Sequence, residues 1–334
     1  MSEHTGDQRL PIEGVRAYLH CPRRFQFAHI DDLDPDERVQ DDRLGLLRRA
    51  LCEALRHGSS LAARARSSLA KDWTEQQLGL HSTAQRAHER RRLEAVVGAY
   101  VEAVGGAHAE ALSATRAGGV KGELVGPDLP LEATFESVTI TAPVDYAFRS
   151  GSTLTGVRFL ASPATLGSLR YDDEWDGQVA RRFTEHTDQD SDQTHPEFVG
   201  HLLETAAVLE GLRALRDHLE LESVRTCRYV VIPLLDRSAT TVDWMSETVE
   251  TTVEPVDLTD RYIDHHTFAR THEHRNRAVD RYLRAIVADA VDGPYDPRTS
   301  PSTDWAHIEA EACPECPFAI CCGDRLESEV GIDD

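Results

Sequence analysis

The sequence predicts an α/β fold: a core sheet flanked by helices, with N- and C-terminal helical segments meeting at a cysteine-rich site. Three observations predict it. Apolar residues at helical spacings of three and four dominate the two ends of the chain. Three strand-like runs are gathered in its middle. Five of the seven cysteines lie near the termini, Cys21 early and Cys313, Cys316, Cys321 and Cys322 late.

The elements follow in chain order. Residues 12–30 carry Val15, Tyr18 and Leu19 and read as one helix running into CPRRF. An aspartate-rich loop separates it from a second helix over Gly45 to Leu55. Over 84–105, Leu93, Val96, Val97, Tyr100, Val101 and Val104 mark the clearest helical face in the chain. In VTITAPVDYAF the residues Val138, Ile140, Ala142, Val144, Tyr146 and Phe148 alternate onto one face, which puts Asp145 on the other. A tight turn at Arg149-Ser-Gly-Ser leads to a second strand, LTGVRFLAS. Residues 183–195 read as a polar loop, followed by a helix with Val199, Leu202, Leu203, Ala206 and Leu209. CRYVVIPLLD, 227–236, is a near-continuous apolar run and reads as a strand buried on both faces. Residues 257–292 look helical, and a Pro/Ser/Thr linker over 294–303 leads to the last cysteines. The expected organisation is one domain over 1–334: an N-terminal helical part (1–110), the core sheet and its helices (111–245), and a C-terminal helical part with the cysteines (246–334).

Composition bounds the function. The chain has 334 residues, 58 Asp and Glu against 36 Lys and Arg, and a net charge of −22. Only Lys71 and Lys121 are lysines; the other 34 basic residues are arginine. Carboxylate excess with almost no lysine points to a very salty cytoplasm, where self-repulsion is screened within about 3 Å at 1 M salt. The acidic balance then reports the solvent and does not argue against a nucleic-acid partner. No apolar run approaches the roughly 20 residues of a membrane span, and the N-terminus lacks an apolar signal region. The expectation is a cytoplasmic protein with no membrane partner.

In a reducing cytoplasm a disulfide framework is not expected. Thiolates three apart in Cys313-Pro-Glu-Cys316 can grip one metal centre, a third after a short turn extends the set, and Cys21 is the natural fourth donor. Zinc usually takes two close-spaced pairs. One ligand far upstream plus three in a tight run fits an iron–sulfur cubane better; zinc is the alternative. Either centre ties the chain ends together, a link worth on the order of 5 kcal/mol by loop entropy. Cys52 and Cys227 sit in apolar contexts and read as small buried hydrophobes. His265, His266, His272 and His274 match no metallopeptidase pattern and read as a solvated helix face.

The order of these features resembles the PD-(D/E)XK nuclease superfamily, in its RecB/AddB-like and CRISPR-adaptation exonuclease branch with an iron–sulfur cluster. The resemblance spans nearly the whole chain and is most specific in the split cysteine set. It implies a restriction-endonuclease-like core sheet and a [4Fe–4S] cluster on Cys21, Cys313, Cys316 and Cys322, with Cys321 as the alternative to Cys322. Such nucleases hold Mg²⁺ or Mn²⁺ with a histidine, an aspartate at a strand end and a D/E-x-K pair on the next strand. The ion activates water and stabilises charge on the phosphate.

Here the catalytic pattern is degenerate. Asp145 matches the strand-end aspartate. The histidine position, four residues after Gly45, is Arg49. The D/E-x-K position reads Arg158-Phe159-Leu160, and the motif helix, which the resemblance implies should open with a glutamine and a tyrosine, reads His201-Leu-Leu-Glu-Thr205. Two unit charges about 4 Å apart interact by roughly 4 kcal/mol at an effective dielectric near 20. One aspartate therefore cannot offset two arginines beside a divalent ion. Arg49 and Arg158 are expected to fill the metal's place and neutralise Asp145. Other carboxylates considered for an intact site are Glu132, Glu136, Asp172, Asp173 and Glu174; none has a lysine two residues on. Arg23 and Arg24, beside Cys21, are weak candidates for a nucleic-acid backbone contact, with surface ion pairs as the equal alternative.

The expected function is DNA binding, or assembly with a protein partner, in repair, recombination or defence by a catalytically impaired relative of these nucleases. An active metal-dependent DNA exonuclease or endonuclease, binding Mg²⁺ or Mn²⁺ at Asp145, is the first alternative. A zinc-stabilised protein-interaction domain is the second.

Overall fold

A computed structural model describes residues 8–33, 43–75, 82–118, 123–135, 137–171, 175–188, 191, 193–243, 245, 248–264, 275–293, 295–299 and 305–330. Strand β1 (Gln8–Pro11) leads directly into α1 (Ile12–His20). The single helix expected over 12–30 is broken at Cys21, whose backbone is extended with φ −168° and ψ 118°. Pro22 is the cause. Its ring disfavours helical geometry in the preceding residue, while its own fixed φ suits the first position of a new helix. That helix, α2 (Pro22–Phe25), runs on as a wider π-type turn from Gln26 to Ile30.

Helices α3 (Arg43–His57) and α4 (Leu61–Glu75) pack together across a short turn. Helix α5 (Thr83–Tyr100) is capped by Ser82, whose hydroxyl accepts the Gln85 N–H. It continues through a π-type turn (Val101–Gly105) into α6 (Gly106–Ala117). Then come β2 (Val125–Phe135), β3 (Val138–Ser150) and β4 (Thr153–Leu160). The β3–β4 turn is as tight as expected, with Gly151 at φ 58°.

Part of the segment read as a polar loop is helical, as α7 (Ala180–Thr187). Phe183 anchors it, buried against Trp175. The long helix α8 (Pro196–His218) precedes β5 (Thr226–Pro233). The hairpin β6 (Thr240–Asp243) and β7 (Thr248–Thr251) stands apart from the main sheet. After β8 (Val256–Asp257), the stretch expected as one helix over 257–292 contains α9 (Leu258–Tyr262) and α10 (Arg277–Asp292). The four histidines His265, His266, His272 and His274 lie outside the described residues. The chain closes with α11 (Trp305–His307) and α12 (Gly323–Val330).

The architecture is a mixed six-stranded sheet flanked by helices. β4 and β5 are parallel; β3 and β4, and β5 and β8, are antiparallel. α8 crosses one face, with α1 beside it, while α3 and α6 cover the other. One contiguous apolar core extends from Leu10 to Ala290, and a small second core holds Cys21, Ile308 and Cys313. No helix among the described residues is long and apolar enough to cross a membrane.

Strand β3 carries three partners. β2 runs along it from Val138 to Tyr146. β1 pairs with Val138–Thr141 and β4 with Tyr146–Ser150. A strand has two edges, so β1 and β4 share the one β2 leaves free, and a fork opens between them at residues 142–145. The expected single-faced alternation breaks there. Val144 packs toward Gly156 and Leu212 of α8, whereas Tyr146, only two residues on, bonds Tyr100 of α5. The β2 partner is irregular at the same level, where its register shifts between Val125 and Leu129.

Candidate functional site

Asp145 sits in the fork and is fully buried. Both carboxylate oxygens are engaged. Oδ2 accepts the Phe159 backbone N–H at 2.6 Å, an amide that β3 no longer serves once it parts from β4. Oδ1 accepts Arg48 Nε at 2.7 Å. The other arm of Arg48 reaches Asp128 at 2.6 Å, and Asp128 is held at φ 62° in the β2 irregularity. Burial pushes the Asp145 carboxyl up to about 6, with Arg48 and the Phe159 amide pulling against it.

The neutralising cation is therefore Arg48. The expectation for Arg49 and Arg158 is corrected. Arg49, one residue further along α3, is rotated about 100° around the helix and pairs with Asp72 at 3.5 Å. Arg158 turns to the α8 side, where it meets Glu204 and Glu13, each at 2.9 Å. Leu160, at the lysine position, ends β4 opposite Pro233 and packs against the core.

Glu204 is the residue that sequence reasoning passed over. It lies within the motif helix, one place before Thr205, and is 1% exposed. Its carboxylate accepts from Arg158 at 2.9 Å, Arg16 at 3.2 Å and Tyr229 Oη at 2.5 Å. The buried His201 ring stands 3.7 Å away. Burial alone would raise Glu204, but Arg158, His201 and Arg16 prevail and hold it down at about 2. The only sequence signal was an acidic residue in an otherwise apolar helical run. Among the alternative carboxylates, Glu132 pairs with Arg9 on the surface at 3.0 Å; Glu136, Asp172, Asp173 and Glu174 lie outside the described residues.

At the opposite pole, Cys21, Cys313, Cys316 and Cys322 line one small pocket whose walls include Phe27, Trp305, Ile308 and Ala312. Cys21 is presented there by the break that Pro22 imposes. Cys321 does not line the pocket; it is exposed, and its thiol meets the Phe318 carbonyl at 3.3 Å. Burial first, then the neighbouring Cys313 and Cys316, push the Cys21 thiol up to about 11; burial with Cys322 and Cys316 raises Cys313, and burial with Asp324 and Cys316 raises Cys322. Four soft sulfur donors in an apolar pocket suit a cationic iron–sulfur or zinc centre, which would reverse that mutual repulsion. As the side chains stand, no three His, Cys, Asp or Glu among the described residues form a set able to hold a single metal ion.

Arg23 and Arg24 also border this pocket. Arg23 Nε donates to the buried Asp324 at 2.7 Å, and Arg298 donates to the same carboxylate at 2.9 Å. Arg23 thus acts as an ion-pair tie between the two ends of the chain. Cys52 and Cys227 are buried, as expected of small hydrophobes, and Cys52 lies 3.6 Å from the Asp145 carbonyl.

Compared with known proteins, the chain matches no family model and no curated sequence.

Proposed function

We propose that this chain is a PD-(D/E)XK nuclease-like iron–sulfur protein that binds DNA in repair, recombination or defence and does not cut it. The restriction-endonuclease-like reading of the sheet and a [4Fe–4S] cluster on Cys21, Cys313, Cys316 and Cys322 belong to this proposal. The observation that carries it is the gathering of those four cysteines, one from the start of the chain and three from its end, around a single pocket. A cubane takes four cysteine thiolates, and the pocket supplies that number.

Asp145 supports the loss of cutting. A metal-dependent phosphodiesterase needs carboxylate oxygens free to hold a cation. Here a guanidinium and a backbone amide already occupy both oxygens. The position where a second carboxylate would stand carries Arg158, itself committed to Glu204.

One preparation in high salt tests the proposal. The protein is expected to be brown, to absorb near 400 nm, to contain iron and sulfide, to bind labelled DNA in a salt-dependent way, and to leave that DNA intact with Mg²⁺ or Mn²⁺. A colourless, zinc-loaded protein overturns the cluster. Robust cutting that Asp145→Ala abolishes overturns the loss of catalysis.

A further inference from the structure

Helices α3 and α4 enclose an open basin of about 680 Å³. The α4 wall is made by Arg64, Ser67, Ser68, Lys71 and Asp72. These positions are i, i+3, i+4, i+7 and i+8, one continuous helical face. The first four side chains are hydrogen-bond donors, and the carboxylate of Asp72 is already paired with Arg49 of α3 at 3.5 Å. Arg64 and Lys71 are exposed, and among the described residues neither is paired with a carboxylate. The facing wall of α3 adds Arg49, Glu53, Arg56 and His57, with the Glu53 carboxylate taken up by Arg56 at 3.3 Å and His57 at 3.1 Å. In a chain of net charge −22 with two lysines, a stripe of donors that includes one of those lysines stands out from the surface around it.

Arg64 and Lys71 lie about 10.5 Å apart along the axis of α4. A phosphodiester strand covers that distance in about three nucleotides of B-form rise. The serine hydroxyls between them suit intervening phosphate oxygens. Among the described residues no Phe, Tyr or Trp lines the basin, and its one imidazole, His57, is held by Glu53 at 3.1 Å, so the basin lacks the large aromatic platforms on which bases stack. Pro127 closes one end, directly before the Asp128 that holds Arg48.

We propose that this basin seats a nucleic-acid backbone, gripped through its phosphates without regard to base sequence. The inference rests on the DNA-binding reading above and adds the surface responsible. The test measures anisotropy of labelled DNA with the full chain over a salt series in which circular dichroism shows the fold intact. The double variant Arg64→Gln/Lys71→Gln is compared with Arg90→Gln/Arg181→Gln, which removes the same charge from α5 and α7.

The basin pair is expected to flatten the slope of log affinity against log salt by about 2. It is also expected to weaken binding at least tenfold at the lowest salt, with the control pair close to the parent protein. If the parent binds and both pairs behave alike, the basin assignment fails while the DNA-binding reading stands. If the parent shows no salt-dependent binding, the DNA-binding reading itself fails. A tenfold change in affinity between sequences of equal length overturns the backbone-only contact.

Discussion

Arg48 Nε lies 2.7 Å from Asp145 Oδ1 at the fork where β3 parts from β4, beside a carboxylate with no exposed surface. Removing one partner of such a pair leaves an uncompensated buried charge, typically at a cost of about 3–5 kcal/mol. Arg48→Ala is therefore expected to destabilise by that order. Arg49→Ala, which breaks a pair whose arginine is 41% exposed, should cost at most about 1 kcal/mol. Denaturant unfolding of both variants at one fixed high salt concentration measures the difference; equal losses would contradict the assignment of Arg48.

The Glu204 carboxylate is shared by Arg16, Arg158 and Tyr229. Glu204→Gln takes from Arg16 and Arg158 their buried carboxylate, leaving them only the outer partners Glu197 and Glu13, and is expected to cost about 3 kcal/mol. Tyr229→Phe removes a single donor to a charged acceptor and should cost about 1.5–3 kcal/mol. Additivity in the double variant would show that the two do not act as one network.

Burial holds His108 at about 4, and burial with the neighbouring His195, His307 and His20 holds His186 at about 4. Both are depressed, so the unfolded chain takes up protons first as pH falls, and stability drops from pH 6.5 downward. Asp145, raised to about 6, protonates first in the native state and opposes one of these uptakes. The three groups together predict a loss of about 3 kcal/mol between pH 6.5 and 4.5. His108→Gln, neutral throughout, should flatten the decline; unfolding at stepped pH values reads it.

Gly211 of α8 presses on β2. A Cβ there would meet Leu131 Cβ at 2.7 Å and the Leu131 carbonyl carbon at 3.3 Å. Gly→Ala inside a helix ordinarily gains up to about 1 kcal/mol. Gly211→Ala is expected to reverse that sign and lose about 1–3 kcal/mol through overpacking. A raised melting temperature would contradict the close approach of α8 to the sheet.

The two adjacent cysteines give opposite expectations. Cys322 borders the pocket, and Cys321 is exposed. Cys322→Ser should abolish the absorbance near 400 nm and lower iron content, whereas Cys321→Ser should leave both at the parent level. The reverse pattern would exchange the two roles.

The helices with strong apolar periodicity, the three central strands and the tight β3–β4 turn follow from local sequence, because each depends on residues close together in the chain. The placement of five cysteines near the termini was also legible there, and so was the importance of Asp145. The weak strand β1, the break at Cys21 and the helical turn at α7 were read less well. β1 is four residues long, Cys21 bends to a single proline, and α7 is held by the contact of Phe183 with the distant Tyr282 of α10.

Which arginine meets Asp145 depends on packing between α3 and the sheet. One residue along α3 is a rotation of about 100°, and strict alternation along β3 fails at the fork where its partners change. The Glu204 network was hidden for the same reason: its partners come from α1, β4 and β5, and no pattern within α8 encodes them. Local periodicity assigns a residue to a face, but packing between elements distant in sequence decides which charge that face meets.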